Sequence, residues 1–90
     1  KTEDIYFIEA LKDYVVINTL KSRYTIHSTM KEMERKLAGD NFIRVHRSFI
    51  VRLDKISAIE YPNLQLEDDK KTIPIGGLYK EELVKKINLI

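Results

Sequence analysis

The chain has no cysteine and no tryptophan, and only two prolines and three glycines among its 90 residues. Without cysteine there is no disulfide, no thiolate nucleophile and no thiolate metal ligand; the absence fits a reducing compartment such as the cytoplasm without proving one. His27 and His46 are the only histidines, too few to close a metal shell, and no cofactor is expected. No apolar run approaches the roughly 20 residues that cross a bilayer, and no signal peptide opens the chain, so no membrane contact is expected. An excess of charge is lacking too: the formal net charge is +2, which alone is weak support for nucleic acid. Hydrophobic content of 43% against 33% charged is the balance of a folded chain. Its length suits one small domain, 1–90, with a single core. The opening Lys1-Thr2-Glu3-Asp4 carries no initiator Met and reads as the start of a piece cut from a larger protein.

What is present is charge sorted by position. Acids gather at Glu3-Asp4, Glu32, Glu34, Glu67-Asp68-Asp69 and Glu81-Glu82, while bases dominate Arg44 to Arg52 and recur at Lys12, Lys21, Arg23, Lys70 and Lys71. Such sorting lets a nearly neutral domain present one positive face. Its focus is Phe42 to Ile56, where Arg44, Arg47, Arg52 and Lys55 oppose only Asp54 and interleave with apolar residues. A half-buried scaffold that aims arginines outward suits phosphate and base-edge recognition. The same pattern also suits an edge strand whose charges are simply solvated.

Periodicity predicts a mainly β domain with two short helices. Ile5 to Glu9, Tyr14 to Leu20 and Arg23 to His27 read as strands, with turns at Lys12-Asp13 and Lys21-Ser22. Thr29-x-x-Glu32 is a capping box, Met30, Met33 and Leu37 share a helical face, and Gly39 stops the helix. Phe42 to His46 returns to an extended pattern. Ile56 to Tyr61, Leu64 to Glu67 and Lys71 to Ile75 follow as strands, with turns at Pro62-Asn63 and Asp68-Asp69. Gly76-Gly77 breaks the last strand, and Leu78 to Leu89 reads helical with Tyr79, Leu83 and Ile87 in register. No helix-turn-helix is visible, because the first helix carries Glu32 and Glu34 on its polar side. DNA contact would therefore come from loops and strand ends.

The run from Asn41 to Ile56, with Val45-His46-Arg47-Ser48-Phe49 at its centre and Leu53-Asp54-Lys55-Ile56 closing it, resembles the signature of the LytTR family. Ile8-Glu9-Ala10 followed by Asp13-Tyr14-Val15 resembles the family's opening strands, and Thr29-Met30-Lys31 the start of its helix. Ile73-Pro74-Ile75-Gly76 followed by Tyr79-Lys80 resembles its closing motif. The segments come in the family's order and span nearly the whole chain. The resemblance implies a LytTR-like fold of short strands that places loop side chains into successive major grooves along one face of DNA. It implies a bacterial DNA-binding domain, usually the C-terminal output domain of a response regulator. It further implies two protomers on two direct repeats, with an upstream receiver or sensor domain in control.

Candidate DNA contacts follow. Arg47, at a strand end, offers a fork for a phosphate or a guanine edge, and family members hold this position in a loop at the DNA backbone. Arg44 and Arg52 are placed as further phosphate contacts. His46 either donates to a phosphate or is buried and bonded to backbone. In the loop that aligns with the family's first base-reading loop, Lys12 would neutralise a phosphate; Tyr14 either reaches into a groove or starts the next strand. Gly76-Gly77 either presents helix N–H groups to a phosphate, with Tyr79 and Lys80 adding side-chain contacts, or is a tight turn that needs positive φ. The family commonly has a basic or polar residue near Gly77; with glycine there and Leu78 next, this loop lacks that side chain for base readout.

The expected function is sequence-specific binding of double-stranded DNA by a transcription regulator. Contacts from Arg44, Arg47, Arg52 and Lys12 would give a log–log salt slope near roughly −3.6. Ser48 beside His46 and Asp54 lacks the nucleophile turn and oxyanion loop of a hydrolase, so no enzyme activity is expected. A protein-interaction module that pairs through an exposed strand edge is the alternative. Single-stranded nucleic acid binding would need aromatics on a sheet face, whereas Tyr6, Phe7, Phe42 and Phe49 read as core. With no long apolar surface helix left over, the isolated domain is expected to be monomeric.

Overall fold

A computed structural model of the protein describes residues 2–68 and 71–88. Asp69, Lys70 and Leu89, to which part of the charge and element reading was assigned, lie outside the described residues.

The β-branched run at the start forms β1 (Ile5–Leu11) and β2 (Tyr14–Thr19). Leu11 pairs with Tyr14 across a tight turn in which Lys12 adopts φ 54°. At the next turn the Ser22 N–H donates to the Thr19 hydroxyl at 3.0 Å, and β3 (Arg23–His27) returns along β2. Helix α1 (Met30–Lys36) starts at the predicted cap, where the Glu32 N–H donates to the Thr29 hydroxyl at 3.0 Å. The Glu32 carboxylate pairs forward with Arg35, which holds its carboxyl below the ordinary glutamate range, first by that hydrogen bond and then by charge. Gly39, at φ 87°, ends the segment in a conformation that other residues resist.

The cation-rich stretch is a hairpin followed by a corner. β4 (Phe42–His46) turns at Arg47-Ser48 into β5 (Phe49–Arg52), a strand that the sequence pattern does not mark. A single 3₁₀ turn, Leu53–Lys55, redirects the chain into β6 (Ile56–Glu60), β7 (Asn63–Leu66) and β8 (Thr72–Pro74). Asn63 belongs to the strand, so the β6–β7 turn is Tyr61-Pro62 and not Pro62-Asn63. Helix α2 (Lys80–Asn88) begins two residues later than expected, because Gly76 to Tyr79 closes a turn through Tyr79 N–H to Gly76 O at 3.0 Å.

All strand pairs are antiparallel, in a five-stranded sheet of order β3-β2-β1-β5-β4 and a three-stranded sheet β6-β7-β8. Alternation sorts the large sheet's side chains to two faces. One face carries Ile8, Val15 and Ile50 against Met30, Met33 and Leu37 of the α1 segment. The other carries Phe7, Val45 and Val51 against Leu64, Leu66 and Ile73 of the small sheet and Leu83 of α2. The expected single core is therefore two, one on each side of the large sheet. Tyr6 and Phe7 are buried, and Phe42 and Phe49 pack partly buried against the two cores.

Candidate nucleic-acid interface

Pairing along β1 sets the geometry of one end of the large sheet. Glu9 lies opposite Phe49, and the Ala10 N–H donates to the Ser48 carbonyl at 2.9 Å. The β1–β2 tip, with Lys12 and Tyr14, therefore sits beside the β4–β5 tip, with Arg47. A third segment joins from the small sheet, where the Gly76 N–H donates to the Val45 carbonyl at 2.8 Å. That bond pins the β8–α2 loop against the strand end that leads to Arg47.

Gly76 and Gly77 do not have the positive φ that the tight-turn reading required; among the described glycines only Gly39 does. Crowding accounts for Gly76: a Cβ there would lie 3.1 Å from Tyr79 Cδ2 and 3.7 Å from His46 Cα. At Gly77 a Cβ would meet only the Tyr61 hydroxyl, at 3.9 Å.

Arg47 is exposed, and among the described residues its guanidinium carries no ion pair. Its neighbours hold the turn beneath it. His46 Nδ1 accepts the Ser48 backbone N–H at 3.1 Å, and its ring meets Phe49 edge-on at 5.7 Å. His46 is half-buried, and this bond is the backbone contact that one of its two readings expected. Arg44 is more deeply engaged than its sequence context suggested. Its guanidinium donates to the Arg47 carbonyl at 2.6 Å and the His46 carbonyl at 3.3 Å, and pairs with Glu34 of α1 at 3.1 Å. It also lies 5.7 Å from the centre of the Tyr79 ring. One side chain thus ties α1, the Arg47 turn and the β8–α2 loop together.

Arg52 lies at the far end of β5, about 10 Å along the strand from Phe49. It pairs with Asp54 at 2.7 Å and donates to the Thr2 carbonyl at 2.9 Å. The fold therefore does not bring Arg52 to the three-loop end. Lys12 and Tyr14 are both exposed there, Tyr14 edge-on to His27 at 5.2 Å. Lys80 sits at the start of α2 with Nζ 4.2 Å from the Tyr61 ring centre. A shallow cleft of about 450 Å³ beside Lys12 adds His27 and Lys36 to this end, together with the carboxylates of Asp13 and Glu32. Sequence reading had weighed His27 only as a metal ligand and Lys36 not at all. The β2–β3 register, His27 opposite Tyr14, is the signal that places His27 here. Period-two alternation is likewise the signal that turns Arg44 toward α1, opposite Ile50.

Comparison with known proteins agrees with this architecture. The family described as the LytTr DNA-binding domain matches residues 1–88. The sensory transduction protein LytT of Bacillus subtilis is 34% identical over 98% of this chain, and the transcriptional regulatory protein YpdB of Escherichia coli K12 is 39% identical over 96%. The chain spans only 38% and 37% of those relatives' own lengths. A solved LytTr DNA-binding domain, from a Bacillus cereus protein described as a methyl-accepting/DNA response regulator, superposes with a TM-score of 0.82 at 28% identity. That match covers 94% of this chain and 82% of the other. Mostly β, with two helices and three loops gathered at one sheet end, this chain belongs to the LytTR family of DNA-binding domains.

Proposed function

We propose that this domain binds double-stranded DNA in a sequence-specific manner as the output domain of a bacterial transcription regulator, through its three-loop end. The carrying observation is the bond from Ala10 N–H to Ser48 O, which fixes the Lys12 and Arg47 tips side by side. Two cations held on neighbouring rigid turns suit a phosphate backbone, which offers one charge per roughly 1.7 Å of duplex axis. The names of the relatives, a sensory transduction protein and a transcriptional regulator, support the same reading, as does the response-regulator origin of the similar structure. An upstream receiver or sensor domain, location in the cytoplasm and the absence of enzyme activity belong to this proposal.

Roles divide by how each side chain is held. Arg47 and Lys12 contact phosphate, with Tyr79 and Lys80 at the β8–α2 loop and Tyr14 at the rim of the β1–β2 tip. Arg44 and His46 act from beneath by shaping the Arg47 turn, and Arg52 braces the far corner. The longest dimension of the fold is 32 Å, close to one helical turn of duplex. One domain thus covers about one turn, and a site of two direct repeats takes two protomers. The test is selection from random duplex DNA at two salt concentrations. Enrichment of a repeated motif is expected; weak binding with no sequence preference would overturn specificity.

A second reading has one observation in its favour. β3 is a free edge of the large sheet, all five of its residues are exposed, and Tyr24 and Ile26 are among them. A partner strand could pair there. Complexes formed that way would persist at moderate salt and would not be displaced by duplex DNA.

A further inference from the structure

Leu78 is 94% exposed, whereas among the described residues the next large apolar side chains, Leu11 and Tyr24, reach 55%. The two residues before it are glycines, and the surroundings of Gly77 are open apart from the Tyr61 hydroxyl. Yet the loop beneath Leu78 is anchored at both ends. Gly76 N–H is bonded to Val45 O, Tyr79 N–H to Gly76 O, and the Tyr79 ring faces the Arg44 guanidinium. An exposed leucine by itself is ordinary. An uncovered leucine on a fixed tip of a cationic end is less so. With Gly76 packed on His46, chain connectivity alone keeps the Leu78 Cα within about 17 Å of the Arg47 Cα. That distance is about half a turn of duplex, at roughly 3.4 Å per base pair.

We infer that Leu78 is a specificity residue that recognises thymine in the major groove by packing its side chain on the C5-methyl group. The inference rests on the proposal that the three-loop end binds duplex DNA. Leucine has no hydrogen-bonding atom to offer a phosphate, and in the minor groove it would leave the acceptors of A·T pairs unpaired. The thymine methyl is the apolar group on the base edges of the major groove, where side chains of this kind find a partner. Glycine at the open position 77, just before it, lets the backbone come close to the groove wall.

The experiment uses the 90-residue chain, a duplex that it selects from a random pool, and single thymine-to-deoxyuridine replacements, which remove only the methyl. Leu78→Ala removes no core contact, so it leaves folding intact. For the wild-type chain, one or two replacements within about half a turn of the Arg47 contact should each weaken binding about fourfold, the worth of one buried methyl. Leu78→Ala should lose that discrimination and keep the salt slope. If no replacement distinguishes the two proteins while selective binding persists, the inference falls and the DNA-binding proposal stands. Equal weakening of thymine and uracil duplexes by Leu78→Ala would also overturn it, pointing to a wedge without methyl readout. Failure of the wild-type chain to select any duplex would overturn the DNA-binding proposal and the inference with it.

Discussion

At the scale of single residues, Arg47 and Arg44 separate two ways in which an arginine serves a binding surface. Arg47 is solvated on the rim of its turn, so its loss should cost one phosphate contact: Arg47→Ala is expected to flatten the salt slope by about one unit. Binding titrations across a salt series measure this, and an unchanged slope would remove Arg47 from the interface. Arg44 is 20% exposed in its side chain and is bonded to two backbone carbonyls and Glu34. Arg44→Ala should therefore cost stability, about 1–3 kcal/mol by urea unfolding, and weaken binding with the slope little changed. Arg44→Lys should not restore it, because an ammonium cannot span carbonyls and carboxylate as a planar fork does. With Arg44 and Arg52 held in bonds within the fold, the expected slope drops from four phosphates to two or three, roughly −1.8 to −2.7.

The elements owe their existence to local chemistry, and their ends test it. Thr29 accepts the Glu32 N–H at the start of α1, so Thr29→Ala should cost about 1 kcal/mol. Calorimetry on the two proteins checks this. The Glu32 carboxyl, lowered by Arg35, favours the folded state above its unfolded-state value, and the benefit is lost as pH falls through the lowered folded value. Glu32→Gln should thus narrow the stability gap between neutral and acidic pH; a mutant with the same acid limb as wild type would remove Glu32 from that account. How much was legible differed by element. Strands β1 to β4 and the α1 cap were visible because residues less than one turn or one hairpin apart determine them. β5 was not visible: the extended pattern read from Phe42 ends at His46, and Phe49 to Arg52 was given no element of its own. Pairing of Phe49 with Glu9 of β1 and with His46 of β4 defines where that strand starts.

For the molecule as a whole, the large sheet is shared by both cores. Ile8 belongs to the α1 side and Leu66 to the small-sheet side. Ile8→Ala and Leu66→Ala should each cost 2–5 kcal/mol, a range of about that size being usual for buried aliphatic truncations. Both should shift one cooperative transition, with coincident far-UV circular dichroism and amide-exchange midpoints; two separated transitions would mean that the layers unfold independently. The outer apolar groove between β6 and α2, lined by Ile59, Tyr61 and Val84 among others, has a volume of about 310 Å³. Its lining of seven residues is far short of the roughly 20–30 residues a side that a stable interface uses, and sedimentation at micromolar concentration is expected to find a monomer.

The sequence by itself determined the fold class, the period of each segment, the capped first helix, and the concentration of positive charge between Phe42 and Ile56. These are set by neighbours along the chain, through backbone preference and side-chain alternation. Tertiary structure alone decided which cations are available. Long-range pairing brings Ala10 to Ser48 and Gly76 to Val45, gathering Lys12, Arg47 and Leu78 from three separate segments. The same packing turns Arg44 inward to Glu34 and leaves Arg52 at the opposite end with Asp54. A guanidinium bonds to whatever acceptors lie within a few ångströms, and which acceptors those are depends on contacts across the chain that no local pattern encodes.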